Sequence, residues 1–359
     1  MLFYELLQVA LGQRECLSRM PTEEEWWMLY DMAQKQTVAG VSFVALEKLS
    51  GKEQKPPQDL LFEWIGSYTQ IEQQNKLLNQ RCAEIAKFFE EVGFRSCILK
   101  GQGNALLYDN PLSRTPGDID ILLEGGKDKI REFVRKHFPD SKDETLHYDF
   151  PLFDDVPIEV HYKPQYLSCP KYDRRLQAWF NENAEKQFEH QITVDETGVT
   201  FCVPTPAFNF VVQLAHVTGH FFHGGIGMRH MIDLYYVLKA IKYEEHGEIM
   251  AVVGHLGLTK FTCGLMWVLQ KTLGLDKQYM IVEPVEQVGI VVLNEINDGG
   301  NFGQYRSKEQ SLRGRSLIGK GVVFAKRQYR MTSIYPAEAV WQVILVGKHV
   351  INKYLLKTA

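Results

Sequence analysis

Arg114-Thr115-Pro116-Gly117-Asp118-Ile119-Asp120-Ile121-Leu122-Leu123 reads as a tight turn that runs straight into a buried strand. Pro116 and Gly117 break what precedes them, and the aliphatic run from Ile119 favours extended backbone. Side chains alternate along a strand, so Asp118 and Asp120 share one face while Ile119 and Ile121 share the other. Two carboxylates about 4 Å apart repel by about 1 kcal/mol in water and about 4 kcal/mol at an effective dielectric of about 20. A divalent cation turns that repulsion into a binding site, and hard oxygen ligands suit Mg²⁺. The plainer alternative is a pair of solvated aspartates at the start of an edge strand. Spacing alone leaves both open.

A third carboxylate comes from a second strand region. Leu146 to Phe153 and Val156 to Tyr162 read as a hairpin turning at Asp154-Asp155. In Ile158-Glu159-Val160-His161, alternation sends Ile158 and Val160 into a core and Glu159 and His161 to the opposite face. A glutamate inside an apolar strand is costly unless it is paired or bound to a cation. Three acids on two strands of one sheet would suit two Mg²⁺ ions about 3.5–4 Å apart, clamping the attacking and leaving oxygens of a phosphoryl or nucleotidyl transfer.

Upstream, Ile98-Leu99-Lys100-Gly101-Gln102-Gly103-Asn104 reads as a strand, a glycine loop and the start of a short helix, Asn104 to Tyr108. Backbone amides in such a loop face anionic phosphate, and Lys100 adds a point charge. An ordinary turn is the alternative for Gly101 and Gly103.

Together these elements resemble the DNA polymerase β superfamily of nucleotidyltransferases, in particular a branch of uncharacterised bacterial members with a Lys-Gly loop. The motif region covers about residues 95 to 163, and the similarity extends through His216, His220, Asp233 and the Gly299–Gly303 turn. The resemblance implies that Asp118 and Asp120 form the metal pair and that Glu159 is the third ligand. Glu159 would also help deprotonate an attacking hydroxyl, which displaces pyrophosphate from the α-phosphate of an NTP such as ATP. Two Mg²⁺ ions, or Mn²⁺ in their place, are the implied cofactors. Gly101 sits at the phosphate-loop position, where the wider superfamily has Gly-Gly or Gly-Ser and this chain has Gly101-Gln102. Lys100, Gly101 and Arg114 are assigned to phosphate. The acceptor is a small molecule, a protein side chain or an RNA end, so nucleic acid remains open as a partner. The alternative is a catalytically silent nucleotide-binding sensor or partner module.

Beyond Pro204-Thr205-Pro206 the pattern is helical to the end of the chain. His216, His220 and His223 fall at i, i+4 and i+7 on one face. They are cleft-lining hydrogen-bonding residues, nucleotide contacts or a transition-metal site, although no HExxH pattern is present. Arg229 and Asp233, one turn apart, form an ion pair or join the cleft, with Arg229 a further candidate for phosphate. From Arg306 to Arg330, eight Lys or Arg face a single acid, Glu309. Few aromatics accompany them, so a solvated basic surface fits better than a single-strand platform.

Length and composition frame these motifs. A chain of 359 residues exceeds a single core, and a net charge of −4 exerts no global pull on nucleic acid or anionic membrane. The six scattered cysteines form no CxxC pair. The start Met1-Leu2-Phe3-Tyr4-Glu5 lacks a basic region, and the apolar run Val340 to Val346 is far shorter than a membrane span. The expectation is a cytoplasmic α+β protein with a nucleotidyltransferase-type mixed-sheet core. Helical lobes flank it: residues 1–65 before the core, 66–204 the core itself, and 205–359 after it.

Overall fold

A computed structural model describes residues 1–194, 198–305 and 316–354. Three helices open the chain: α1 (Leu2–Ala10), α2 (Glu23–Lys35) and α3 (Ala39–Leu49). Thr22 starts α2 with a capping box, its side chain accepting from Glu25 N while Glu25 accepts from Thr22 N. The long α4 (Gln58–Glu91) follows Pro57. Then come β1 (Ser96–Leu99), α5 (Gly101–Ala105), β2 (Ile119–Leu123), α6 (Gly126–His137), β3 (His147–Asp149) and β4 (Ile158–His161). Helix α7 (Pro170–Asn183) leads to a separate hairpin of β5 (Gln191–Val194) and β6 (Val199–Cys202). The expected turn residues 195–197 of that hairpin lie outside the described residues.

The core sheet is mixed, with strand order β1-β2-β4-β3. Strand β2 pairs antiparallel with β1 and parallel with β4, and β3 pairs antiparallel with β4. This is an α+β fold with a mixed-sheet core. One sheet face is apolar: Ile119, Ile121, Ile158 and Val160 pack on Leu78, Cys82, Ile85 and Phe89 of α4 and on Ile130 and Val134 of α6. That packing turns the opposite face, with its acids, toward the C-terminal helices.

Two expected elements have bounds that differ from their patterns. Strand β3 ends at Asp149, because Pro151 has no N–H to pair and Leu152 N folds back onto Phe150 O. The Asp154-Asp155 bend is tied to α4 by the Arg81–Asp155 ion pair at 2.7 Å. The short helix after the glycine loop begins at Gly101 rather than Asn104. Lys100 has φ +45°, which turns the chain sharply and lets Asn104 N donate to Lys100 O.

The C-terminal lobe contains α8 (Pro206–His223), α9 (Met228–Ala240), α10 (His246–His255), α11 (Thr259–Val268), α12 (Glu286–Gly299), α13 (Leu317–Met331) and α14 (Pro336–Tyr354). The N-terminal helices share one apolar core with this lobe, in which Phe3, Leu6 and Trp26 join Phe221, Leu234 and Leu265. Among the described residues no helix is long and apolar enough to cross a membrane.

A buried ion pair fastens lobe to core. Arg114 Nε and Nη2 donate to Asp233 Oδ1 and Oδ2 at 2.8 and 2.9 Å, and Tyr108 Oη donates to Oδ1 at 2.6 Å. Burial works against the Asp233 charge, but Arg114 overrides it and holds the carboxyl below its usual range. That contribution is complete above the ordinary aspartate pKa of about 4 and is lost as pH falls through the lower folded value. Removing one partner leaves a buried charge, so Asp233→Ala should destabilise the protein by about 3–5 kcal/mol in urea titrations at pH 7. In Asp233→Asn, the stability lost between about pH 5 and about pH 3 should be smaller than in wild type.

Candidate functional site

Strand register builds the site. Asp120 pairs with Glu159 across the parallel β2–β4 ladder, so the two carboxylates stand side by side on one face. Asp118 lies just before β2 on the same side, at the mouth of a cavity of about 410 Å³. Of the residues singled out for chemistry, Lys100, Gly101, Arg114, Asp118, Asp120, Glu159, His216, His220, His223 and Arg229 line this cavity, and Asp233 does not.

Helix α4 positions the loops beneath the cavity. Asn75 Nδ2 donates to Leu112 O and Arg114 O at 3.0 and 2.8 Å, pinning the turn that leads into β2. Gln102 Nε2 donates to Asn79 Oδ1 at 2.6 Å and pins the glycine loop. A Cβ on Gly101 would meet Asp118 O at 3.3 Å, so the two loops depend on that close approach. Lys100, a non-glycine residue with positive φ, is held in strained backbone at the same place.

Asp120 is buried under two cations. Lys100 Nζ lies 2.6 Å from its Oδ1, and His161 Nε2 lies 2.8 Å from the same oxygen. Burial disfavours the Asp120 charge, yet Lys100 and His161 outweigh it and hold the carboxyl well below the usual range. Asp118 is shifted the other way, up to about 6, by the like charge of Asp120, then by burial and by Glu159. Its side of the cavity is open, consistent with repulsion rather than loss of solvent leading that shift. Burial opposes a charge on Lys100, but Asp120 keeps its ammonium pKa raised.

The opposite wall comes from α8 and α9. Gln165 Nε2 donates to His216 Nδ1 at 3.1 Å, and the His216 and His220 rings lie 4.4 Å apart. Burial, then His220 and Lys100, lowers the His216 pKa far below its usual value. Burial, Lys100 and His223 bring His220 down to about 4, so both imidazoles are neutral at pH 7. Arg229 Nη1 donates to Thr115 O at 3.3 Å, while its Nε has no hydrogen-bond partner among the described residues. Burial and the neighbouring Arg114 lower its pKa, a sign of a guanidinium short of negative charge.

Three expectations change in detail. The ion pair of Asp233 is with Arg114 and not with Arg229, so the Arg114 guanidinium is already occupied. Residues 306–315 of the basic stretch lie outside the described residues. Arg327 from that stretch is buried, donating to Phe222 O at 2.8 Å and to Glu295 at 3.0 Å, so it caps α8. One residue of the site was not picked out from the sequence. His147, on β3, places Nδ1 3.1 Å from Glu159 Oε2. Among the described residues the group with metal-holding geometry is His147, Glu159 and His161, and the α8 histidines are not part of it. The signal for His147 was its place opposite His161 in the hairpin.

Residues 22–274 match the family described as uncharacterised nucleotidyltransferase, which is well over half of the chain. The chain belongs to this nucleotidyltransferase family. Among solved structures, it is similar to an antigenic nucleotidyltransferase-like protein from Paracoccidioides brasiliensis. That likeness has 13% identity, covers 59% of this chain and 95% of the other, and has a TM-score of 0.33. No functionally curated protein matches. In this nucleotidyltransferase-family chain, the crowded acids give a direct test. Without divalent cations, Asp118 should titrate at about pH 6 by carboxyl ¹³C NMR. In Asp120→Asn its pKa should drop toward the ordinary value of about 4.

Proposed function

We propose that this protein transfers a nucleoside monophosphate from an NTP to an acceptor hydroxyl, with divalent-cation dependence and release of pyrophosphate. The observation that carries the reading is the register pairing of Asp120 with Glu159, with Asp118 beside them, in a cavity also lined by Lys100 and Arg229. Three carboxylates form a hard-oxygen donor set, and the raised Asp118 pKa marks a place short of positive charge. By donor chemistry Asp118, Asp120 and Glu159 would hold Mg²⁺, with Asp120 exchanging its contacts to Lys100 and His161 for the ion. Bound there, Mg²⁺ would supply neutralisation of phosphate charge.

The chain's own groups account for the rest. Lys100 Nζ and the Arg229 guanidinium face the cavity as phosphate ligands, with Gly101 letting the loop approach closely. Arg114 acts one step back, holding the Pro116-Gly117 turn through Asp233. Neutral His216 and His220 give hydrogen bonds without adding charge, which suits orientation of a ribose or phosphate. In the reaction, the acceptor oxygen bonds to the α-phosphorus, the bond to the pyrophosphate oxygen breaks, and the hydroxyl proton passes to a Glu159 carboxylate oxygen. Chemistry of this kind is mostly positioning and charge stabilisation.

The acceptor class is best sought directly. Purified protein, labelled NTPs and a cell extract should yield a labelled small molecule, protein or RNA. Asp120→Asn should reduce label transfer by at least about 100-fold with an unchanged circular dichroism spectrum. Wild-type turnover in that variant would remove the assignment.

A further inference from the structure

We propose that Glu159, His147 and His161 form a nitrogen-containing metal site that takes a first-row transition ion such as Mn²⁺, Co²⁺ or Zn²⁺ in preference to Mg²⁺. It deepens the nucleotidyl-transfer reading, on which its place in the reaction rests, while its ligands stand on geometry alone.

The hairpin register creates the donor set. His147 pairs with His161, and Asp149 with Glu159, across the antiparallel β3–β4 ladder, so all four side chains share the face that carries Asp120. The donor atoms of His147, Glu159 and His161 lie within 4.8 Å of one another. Glu159 Oε2 is 3.1 Å from His147 Nδ1 and 3.4 Å from His161 Nε2. Ligands held about 2.0–2.2 Å from one ion are separated by about 3–4 Å, so little rearrangement is needed.

The imidazole of His161 carries a mark of a metal ligand, and that of His147 an unused nitrogen. A ligating histidine usually gives its second ring nitrogen to a carbonyl or carboxylate. His161 Nδ1 lies 3.2 Å from Lys163 O, and because a carbonyl only accepts, Nδ1 carries a proton. By the same rule Nε2, 2.8 Å from Asp120 Oδ1, carries the second proton, and an ion at this position would take that proton's place. His147 faces Asp149 Oδ1 with Nε2 at 4.0 Å. Its Nδ1 is buried and makes no hydrogen bond among the described residues, an unused donor atom beside a carboxylate.

Donor chemistry decides which ion enters. Mg²⁺ demands oxygen and sheds water reluctantly, whereas imidazole suits Zn²⁺ and the other late first-row ions, with affinity rising from Mn²⁺ to Co²⁺. Glu159 therefore serves two neighbouring positions, an oxygen-only one with Asp118 and Asp120 and a mixed one with the histidines. Lys100 still covers Asp120 Oδ1 when His161 turns to an ion.

Mn²⁺ added to the full chain tests this without reference to turnover. Pulsed electron paramagnetic resonance should show imidazole ¹⁴N coupling to bound Mn²⁺ that persists in excess Mg²⁺. His147→Ala should weaken Mn²⁺ binding by at least about tenfold, and Asp118→Asn should keep the nitrogen coupling. Bound Mn²⁺ without ¹⁴N coupling in the wild-type protein, or unchanged affinity in His147→Ala, would overturn the site. Nitrogen coupling in a protein that transfers no nucleotide would support the site and count against the reaction.

Discussion

The parallel pairing of β2 with β4 is the constraint on which the site depends. Because the side-chain period of a strand is two, a one-residue slip would move Glu159 to the apolar face and bring Val160 beside Asp120. The register is held from the other side of the sheet. Ile119, Ile121, Ile158 and Val160 are buried against α4 and α6, and none of them tolerates the polar face. The apolar core thus fixes which carboxylates meet, and Ile119 N donating to Pro157 O sets the first rung.

Holding acids together requires cations, and the fold supplies them from three directions. Lys100 arrives from the strained loop after β1, His161 from β4, and Arg229 from α9. The buried Arg114–Asp233 pair joins the turn before β2 to the helix that carries Arg229. This pair sets the distance between the carboxylate wall and the guanidinium wall. Arg327 does related work at the far end of α8, satisfying carbonyls at the end of the helix that bears His216 and His220.

Much of this was legible in the sequence because it is local. Alternation alone assigned Asp118, Asp120 and Glu159 to faces, and Pro206 marked the start of α8. The run of strands between helical stretches followed from the same patterns, while the mixed-sheet core came with the family resemblance. What escaped depends on partners far apart in the chain. Asp233 has Arg229 one helical turn away, so helical spacing points to that pair, whereas packing of α9 on the core selects Arg114. His147 sits in a strand of three residues, too short to show a period, and only the hairpin register brings it to Glu159. Lys100 hides the start of α5, since its positive φ has no sequence signature in a lysine.

The central claim is that these three carboxylates and the facing cations together hold a metal-bound nucleotide. A crystal grown with Mn²⁺ and a non-hydrolysable NTP tests it most directly. An anomalous peak is expected at the carboxylates of Asp118, Asp120 and Glu159, beside any ion held by His147 and His161, with the triphosphate reaching Lys100 and Arg229. Asp118 and Asp120 left without an ion, or a nucleotide bound away from this cavity, would contradict it.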